Sequence, residues 1–261
     1  MLYDISLKIT YSYADMADAG RHLVRVMPAD LPGQQRAVSG TLTVTPRPTE
    51  WIDRTDFFGN RFTELLFDQP HEEMSLALQA RVERLPARPE LDISPSLAGL
   101  AREIAARPGV GPDSPHHFTG PSIRVPVDRQ TTDYAKRQLQ PDSTVLEAVK
   151  AINTAIHDDM LFDPEATTVE TPMLEAFERR HGVCQDFSHV MIACLRGIGV
   201  PAGYVSGYLR TLPPPGRERL EGADAMHAWV RAWCGTEMGW LEFDPTNDTM
   251  AGEDHVVIAR A

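Results

Sequence analysis

The chain has 261 residues, 42% apolar and 24% charged, a globular balance that excludes disorder as a description of the whole. Its 25 Lys and Arg against 37 Asp and Glu leave a formal charge of −12 with no basic block, which disfavours nucleic acid as a partner. No apolar run approaches the roughly 18 residues of a membrane span, and the start Met1-Leu2-Tyr3-Asp4 lacks a basic region followed by an apolar one, so a cytoplasmic protein without membrane association is expected.

The first 85 residues read as strands. Ile5, Leu7, Ile9, Tyr11 and Tyr13 take every second position, and Leu42 and Val44 alternate with Thr41, Thr43 and Thr45. Weaker strands fall at 63–67 and 76–82, with turns at Pro32-Gly33, Pro46 to Pro48 and Gly59-Asn60. Short strands at this spacing predict a β-sandwich-like domain over 1–85.

Residues 86–126 form a Pro-rich connection. One helix fits inside it, with Ser94 as cap, Pro95 at the first position and Leu97, Leu100 and Ile104 on one face, stopped by Pro108-Gly109. The pair His116-His117 in this stretch is a weak metal candidate.

From 127 to 261 the pattern is helical, then β, which makes the whole an α+β protein. Thr144-Val145-Leu146-Glu147 has capping-box form ahead of Val149, Ile152 and Ile156. Thr171-Pro172 opens a second helix, with Gly182 as its expected end. A third runs from about 184 to 197, with Phe187, Val190, Met191, Cys194, Leu195 and Ile198 on one stripe. Strands follow at 204–209, 227–233 and 240–243, with a surface loop from Pro213 to Gly216 and the charged residues after it, and a turn at 235–239.

Cys184 opens the strongest helix, where unpaired N–H groups and a partial positive charge favour a thiolate. Arg179, Arg180 and His181 precede it and push the same way, while Asp186 opposes. By position alone such a Cys is more commonly a small buried hydrophobe. A nucleophile needs a base, and the base an orienting group. A hairpin pairing His227 with Asp244 is centred between residues 235 and 236, close to the predicted turn, so the two are expected side by side. Cys194 falls on the apolar stripe about 15 Å from Cys184 at helical rise, too far for a disulfide. It reads as core, Cys234 reads as a turn-edge residue without a role, and His189, off the stripe, reads as surface.

Several segments together resemble the bacterial transglutaminase-like proteins. They are His181-Gly-Val-Cys-Gln-Asp-Phe-Ser-His189, Arg196-Gly-Ile-Gly-Val-Pro-Ala202, Tyr204-Val-Ser-Gly-Tyr-Leu209, His227-Ala-Trp-Val230 and Gly239-Trp240 through Phe243-Asp-Pro-Thr-Asn247. Asp56-Phe-Phe-Gly-Asn60 and the Gln34/Gln35 region resemble that family's N-terminal region. The resemblance implies a papain-like, transglutaminase-like α+β core in which a Cys-bearing helix packs on an antiparallel sheet. It also implies a catalytic triad of Cys184, His227 and Asp244. Two departures stand out: Gly203 where the family often has Arg, and Arg231 where it has an acidic residue. The family usually continues past the strand ending at Ala261, so a C-terminal segment is expected beyond it.

The expected chemistry is thiol-dependent acyl transfer on a peptide or protein amide, with hydrolysis favoured over amine transfer because no second substrate site is recognisable. The alternatives are a protein-glutamine transglutaminase, a catalytically silent scaffold, and acyl transfer from a cofactor thioester. The oxyanion candidates are the Cys184 N–H, the Gln185 side chain, Tyr204 and Tyr208. Neither a metal nor an organic cofactor is expected.

Overall fold

The computed structural model describes residues 1–85, 91–213, 216, 220 and 226–261. The chain divides into two units, Met1–Ala87 with His255–Arg260, and Arg88–Asp254 with Ala261.

The first unit holds β1 (Leu2–Ala17), β2 (Gly20–Val24), β3 (Gln35–Thr45), β4 (Glu50–Thr55), β5 (Arg61–Phe67) and β6 (His71–Arg84). They make two antiparallel sheets, in the orders β1-β6-β3 and β2-β5-β4. Period-two alternation sets the inner faces: β6 buries Met74, Leu76, Leu78, Ala80 and Val82, and β5 buries Leu65 and Phe67. Leu78 lies opposite both Leu7 and Leu42, so the alternating residues of three strands form one row across the sheet. Strands β2 and β4 were not predicted. β4 is exposed along its whole length, so burial imprints no alternation on it, and its pairing with β5 alone defines it.

The residues that carry the N-terminal resemblance have a structural task. Asp56 Oδ1 accepts the N–H groups of Phe58 and Asn60, both at 2.9 Å, closing the turn. The Asn60 side chain then donates to the Arg260 carbonyl (2.7 Å) and accepts the Arg260 N–H (2.8 Å). Gln35 does the same for Val257, at 2.8 Å in each direction. Two buried side-chain amides thus stand in for a neighbouring strand, satisfying backbone groups of the last strand of the chain.

The second unit holds α1 (Leu97–Ala106), α2 (Arg129–Arg137), α3 (Val145–Asp159), β7 (Leu161–Phe162), α4 (Met173–Arg179), β8 (His181–Gly182) and α5 (Cys184–Gly197). Strands β9 (Ala202–Leu209), β10 (Met226–Trp233), β11 (Trp240–Asp244) and β12 (Thr249–Met250) follow, and β13 (His255–Arg260) is the strand clamped in the first unit. Strands β9 to β12 are antiparallel in the order β12-β11-β10-β9. Helix α5 packs on β9 and β10 and is flanked by α2, α3 and α4.

Helix α5 is more central than a single stripe implies. Every residue from Asp186 to Leu195 except His189 is buried, which is the signature of a helix enclosed on nearly all sides. Helix α3 starts as expected, with Thr144 and Glu147 forming the reciprocal capping box. Helix α1 is capped by Ser96 and not by Ser94: the Pro95 carbonyl accepts the Val145 N–H in an antiparallel bridge, which holds Pro95 extended and delays the helix. Helix α4 ends at Arg180, in the left-handed conformation at φ 58°, and not at Gly182. Helix α2 was not predicted, because its buried face includes Thr131 beside Tyr134 and Ala135, and a polar sequence hides that spacing. Of the expected Pro-rich connection, Pro86 and Pro89 lie outside the described residues, as does most of the loop expected from Pro213 onward.

Candidate active site

Cys184 is the first residue of α5 and is half-buried, while Cys194 and Cys234 are buried. The turn that presents it is fixed by Asp186. Its Oδ2 accepts the Val183 N–H at 2.9 Å and the Thr167 hydroxyl at 2.6 Å, and its own N–H donates to the Val183 carbonyl at 2.8 Å. Asp186, the third residue of the helix, thus reaches back to the N–H of Val183, the N-cap, and secures the helix start. Gly182 is required here: a Cβ on it would lie 2.6 Å from Asp186 Oδ2 and 2.7 Å from Asp186 Cβ. The basic residues before Cys184 are committed elsewhere. Arg179 pairs with Glu175 at 2.9 Å, and the Arg180 guanidinium lies over the Phe177 ring at 4.2 Å and the Tyr134 ring at 5.0 Å.

His227 and Asp244 meet with their side chains fully buried, Nε2 to Oδ2 at 2.9 Å. The ladder that brings them together is two residues out of the expected phase. Val230 lies opposite Phe243, and continuing that register sets Asp244 against Trp229, so His227 reaches Asp244 along a diagonal on the same face. The tight turn closed by Cys234 and Gly239, at 2.8 Å, sets this phase. Trp229 in turn stacks on the His227 ring, with centroids 6.1 Å apart and planes 27° from parallel, and its Nε1 donates to Glu242 Oε2 at 2.8 Å.

Asp244 is held on every side. Its Oδ1 accepts the N–H groups of Thr246 (3.0 Å) and Asn247 (3.3 Å), and its Oδ2 accepts Asn247 Nδ2 at 2.7 Å besides His227. Helix α3 braces that turn from behind. Asn153 Nδ2 and Thr154 Oγ1 both donate to Asp248 Oδ1 at 2.8 Å, and His157 Nδ1 donates to the Thr246 carbonyl at 3.0 Å. Sequence reasoning missed Asn153, Thr154, His157, Thr167 and Asn247. Only Asn247 left a signal, as a turn-forming amide three residues after an Asp. The others act from distant positions in the chain.

Burial disfavours charge on His227, but the charge and hydrogen bond of Asp244, together with a hydrogen bond and charge from Cys184, outweigh it and push the imidazole up to about 10. With Nε2 on Asp244, Nδ1 is the ring atom left for the thiol. The environment therefore favours the imidazolium form of His227.

The remaining sequence-predicted residues distribute as follows. Gln185 is the second residue of α5 and half-buried. Tyr204 and Tyr208 pair with Val230 and Met226 on the sheet face alternate to His227, which pairs with Gly207. Burial raises both phenols, and the Cys184 and Asp186 charges raise Tyr204 further. His189 is not a surface residue. Its ring lies 5.3 Å from that of Tyr204, and burial lowers its basicity. His116 Nε2 and His117 Nε2 hydrogen-bond the carbonyls of Arg107 (3.2 Å) and Val110 (2.9 Å).

The bacterial transglutaminase-like N-terminal region matches residues 3–83, and the transglutaminase-like superfamily matches residues 132–245. An uncharacterized protein of Mycobacterium tuberculosis is 32% identical over 263 residues, covering 99% of this chain and 82% of that protein. Another, from Mycobacterium leprae, is 27% identical and covers 95% of this chain and 84% of that one. The crystal structure of a "Putative Cysteine Protease" from Cytophaga hutchinsonii aligns with a TM-score of 0.72 at 22% identity, covering 100% of this chain and 84% of that chain. The chain belongs to the transglutaminase-like superfamily and carries the bacterial transglutaminase-like N-terminal region. This family supports thiol-based catalysis in general terms.

Gly203 and Arg231 are neighbours in space. Gly203 lies directly opposite Arg231 on the ladder. Arg231 is 2% exposed, its guanidinium 4.5 Å from the ring centroids of both Phe118 and Trp240, with Nη1 3.2 Å from Asp113 Oδ1. A Cβ at 203 would come within 3.0 Å of Phe118 Cδ1. Phe118 thus fills the space above Gly203, and the cation sits on the facing strand.

Proposed function

We propose that this protein is a cysteine amidase or peptidase that works by acyl transfer through Cys184, His227 and Asp244. The observation that carries the reading is the buried His227–Asp244 pair, 2.9 Å apart, with Cys184 near enough to raise the basicity of the imidazole. His227 takes the thiol proton, and the Cys184 sulfur adds to the carbonyl carbon of an amide. The tetrahedral oxyanion lies at the start of α5, where the Cys184 N–H is the first donor. Collapse breaks the C–N bond, with the His227 proton leaving on the amine, and a thioester remains. Water, deprotonated by His227, adds to the thioester, and the C–S bond breaks to return the thiol and release the acid. Asp244 keeps the ring oriented and stabilises its cationic form. The substrate is a peptide or protein amide. We favour hydrolysis over transfer to an amine because the sequence carries no recognisable second substrate motif.

The test is site-resolved alkylation by iodoacetamide over about pH 4–9, with the wild type beside His227→Ala. The expected result is that Cys184 reacts well below the roughly 8.5 of a free thiol and loses that reactivity in His227→Ala, while Cys194 and Cys234 stay protected. Burial pushes the Cys194 thiol up to about 12, in keeping with an inert control. A Cys184 that reacts only as an ordinary thiol in both proteins refutes the reading. Amine incorporation dominating over hydrolysis in a panel of acylated peptides would refute the hydrolytic half of it.

A further inference from the structure

Asp244 Oδ2 carries two donors. His227 Nε2 lies 2.9 Å from it and Asn247 Nδ2 lies 2.7 Å from it, so the amide and the imidazole share one oxygen. The other oxygen is taken by the backbone N–H groups of Thr246 and Asn247. Asn247 therefore touches Asp244 twice, once through its backbone on Oδ1 and once through its side chain on Oδ2. This pins both ends of the carboxylate and stops it from rotating about its Cβ–Cγ bond. Its position is itself secured, because the next residue, Asp248, is held at φ 44° and receives Asn153 and Thr154 from α3.

We propose that Asn247 is a positioning residue for the reaction, which sets how tightly Asp244 holds the proton of His227 by sharing the oxygen that His227 uses. This rests on the Cys184–His227–Asp244 reading. The physical basis is competition at one atom. A neutral N–H donor draws off part of the negative charge on Oδ2, so the carboxylate grips the imidazolium less strongly than a singly bonded one would. A histidine gripped too strongly keeps its proton and is a poor acid for the departing amine. The amide tunes His227 towards transferable and, through the backbone contact, keeps Oδ2 aimed at Nε2. Among the described residues, the groups that bear on the charge of His227 include Asp244 on β11, Cys184 on α5 and, through the stacked Trp229, Glu242 on β11. Replacing the Asn247 side chain leaves Cys184 and Glu242 as they are and changes only the bonding of Asp244 Oδ2.

The test compares two alkylating probes at Cys184. Iodoacetate is an anion and reacts faster when His227 is cationic, while iodoacetamide is neutral and reports the thiolate alone. The ratio of the two rates, followed against pH, falls as His227 loses its proton. Asn247→Leu removes the donor and fills its place. The midpoint of that fall is expected to move up by about half a pH unit or more. Asn247→Ala removes the same donor and admits a water that restores part of the bond, so its shift has the same sign and is smaller. This also leaves a second variant to read should Asn247→Leu not fold. His227→Ala abolishes the transition altogether. A merely structural role for Asn247 lowers the melting temperature without moving the midpoint. Midpoints that coincide with the wild type in both Asn247 variants, while His227→Ala still abolishes the transition, overturn the proposal and leave the triad reading standing. A transition that survives in His227→Ala overturns the triad reading and the proposal with it.

Discussion

Gly182→Ala is the sharpest single test of how the start of α5 is built. The new methyl carbon would sit 2.6 Å from Asp186 Oδ2 and 2.7 Å from Asp186 Cβ. The first clash is removable by turning the carboxylate away, but turning it breaks its bonds to the Val183 N–H and the Thr167 hydroxyl. The second is not removable by any rotamer, because Cβ is fixed to the helix backbone. The first turn of α5 must therefore shift. Overpacking of this kind costs about 1–3 kcal/mol, and loss of a helix-start cap adds about 1 kcal/mol. The sum, about 2–4 kcal/mol, corresponds to a fall in melting temperature of roughly 5–15 °C for a protein of this size. Because Cys184 is on that turn, the iodoacetamide reactivity of its thiol below neutral pH is expected to fall together with the melting temperature. Differential scanning calorimetry and alkylation mapped by mass spectrometry read the two. A variant that melts within a degree of the wild type and alkylates at the same rate would show that the helix start is not held in the way described.

Two further outcomes are expected. The folded state holds a proton on His227 that the unfolded chain releases above its ordinary value of 6.5, so stability to urea declines as pH rises from 6.5 towards about 10. That decline is on the order of a few kcal/mol and flattens in His227→Gln; a wild type whose urea midpoint is level across that window is the contrary result. Arg231→Ala empties a space walled by Phe118 and Trp240, while the exposed Asp113 is left to water, so it is expected to cost about 3 kcal/mol in chemical denaturation and to leave the pH profile of Cys184 alkylation unchanged.

The register of β10 and β11 shows where reading the sequence stopped short. The turn between Gly235 and Gly239 was legible from its glycines, and with it the prospect that His227 and Asp244 would lie near one another. The phase was not. A two-residue change of register keeps every side chain on its own face, so the alternation of apolar and polar residues cannot distinguish the two pairings. The closure of the turn decided it, and the result is a diagonal His227–Asp244 contact. The position of His189 off the apolar stripe of α5 predicts a surface residue, yet it packs against Tyr204. A stripe predicts one buried face, and α5 is enclosed on nearly all of them.

The sequence by itself determined the α+β order of elements, the sandwich strands with strong alternation, the Thr144 capping box, and the helix that begins at Cys184. Each of these is written in residues a few positions apart, where period and capping chemistry act locally. Only the tertiary structure decided what surrounds the candidate site. Thr167 reaches Asp186 across 19 residues, Asn153 reaches Asp248 across 95, and Asn60 grips the backbone of Arg260 across 200. The same holds for Arg231, whose buried position between Phe118 and Trp240 no local pattern announces. A polar side chain's partner is chosen by which segments the packed core brings within about 3 Å, and a one-dimensional pattern carries no record of that choice.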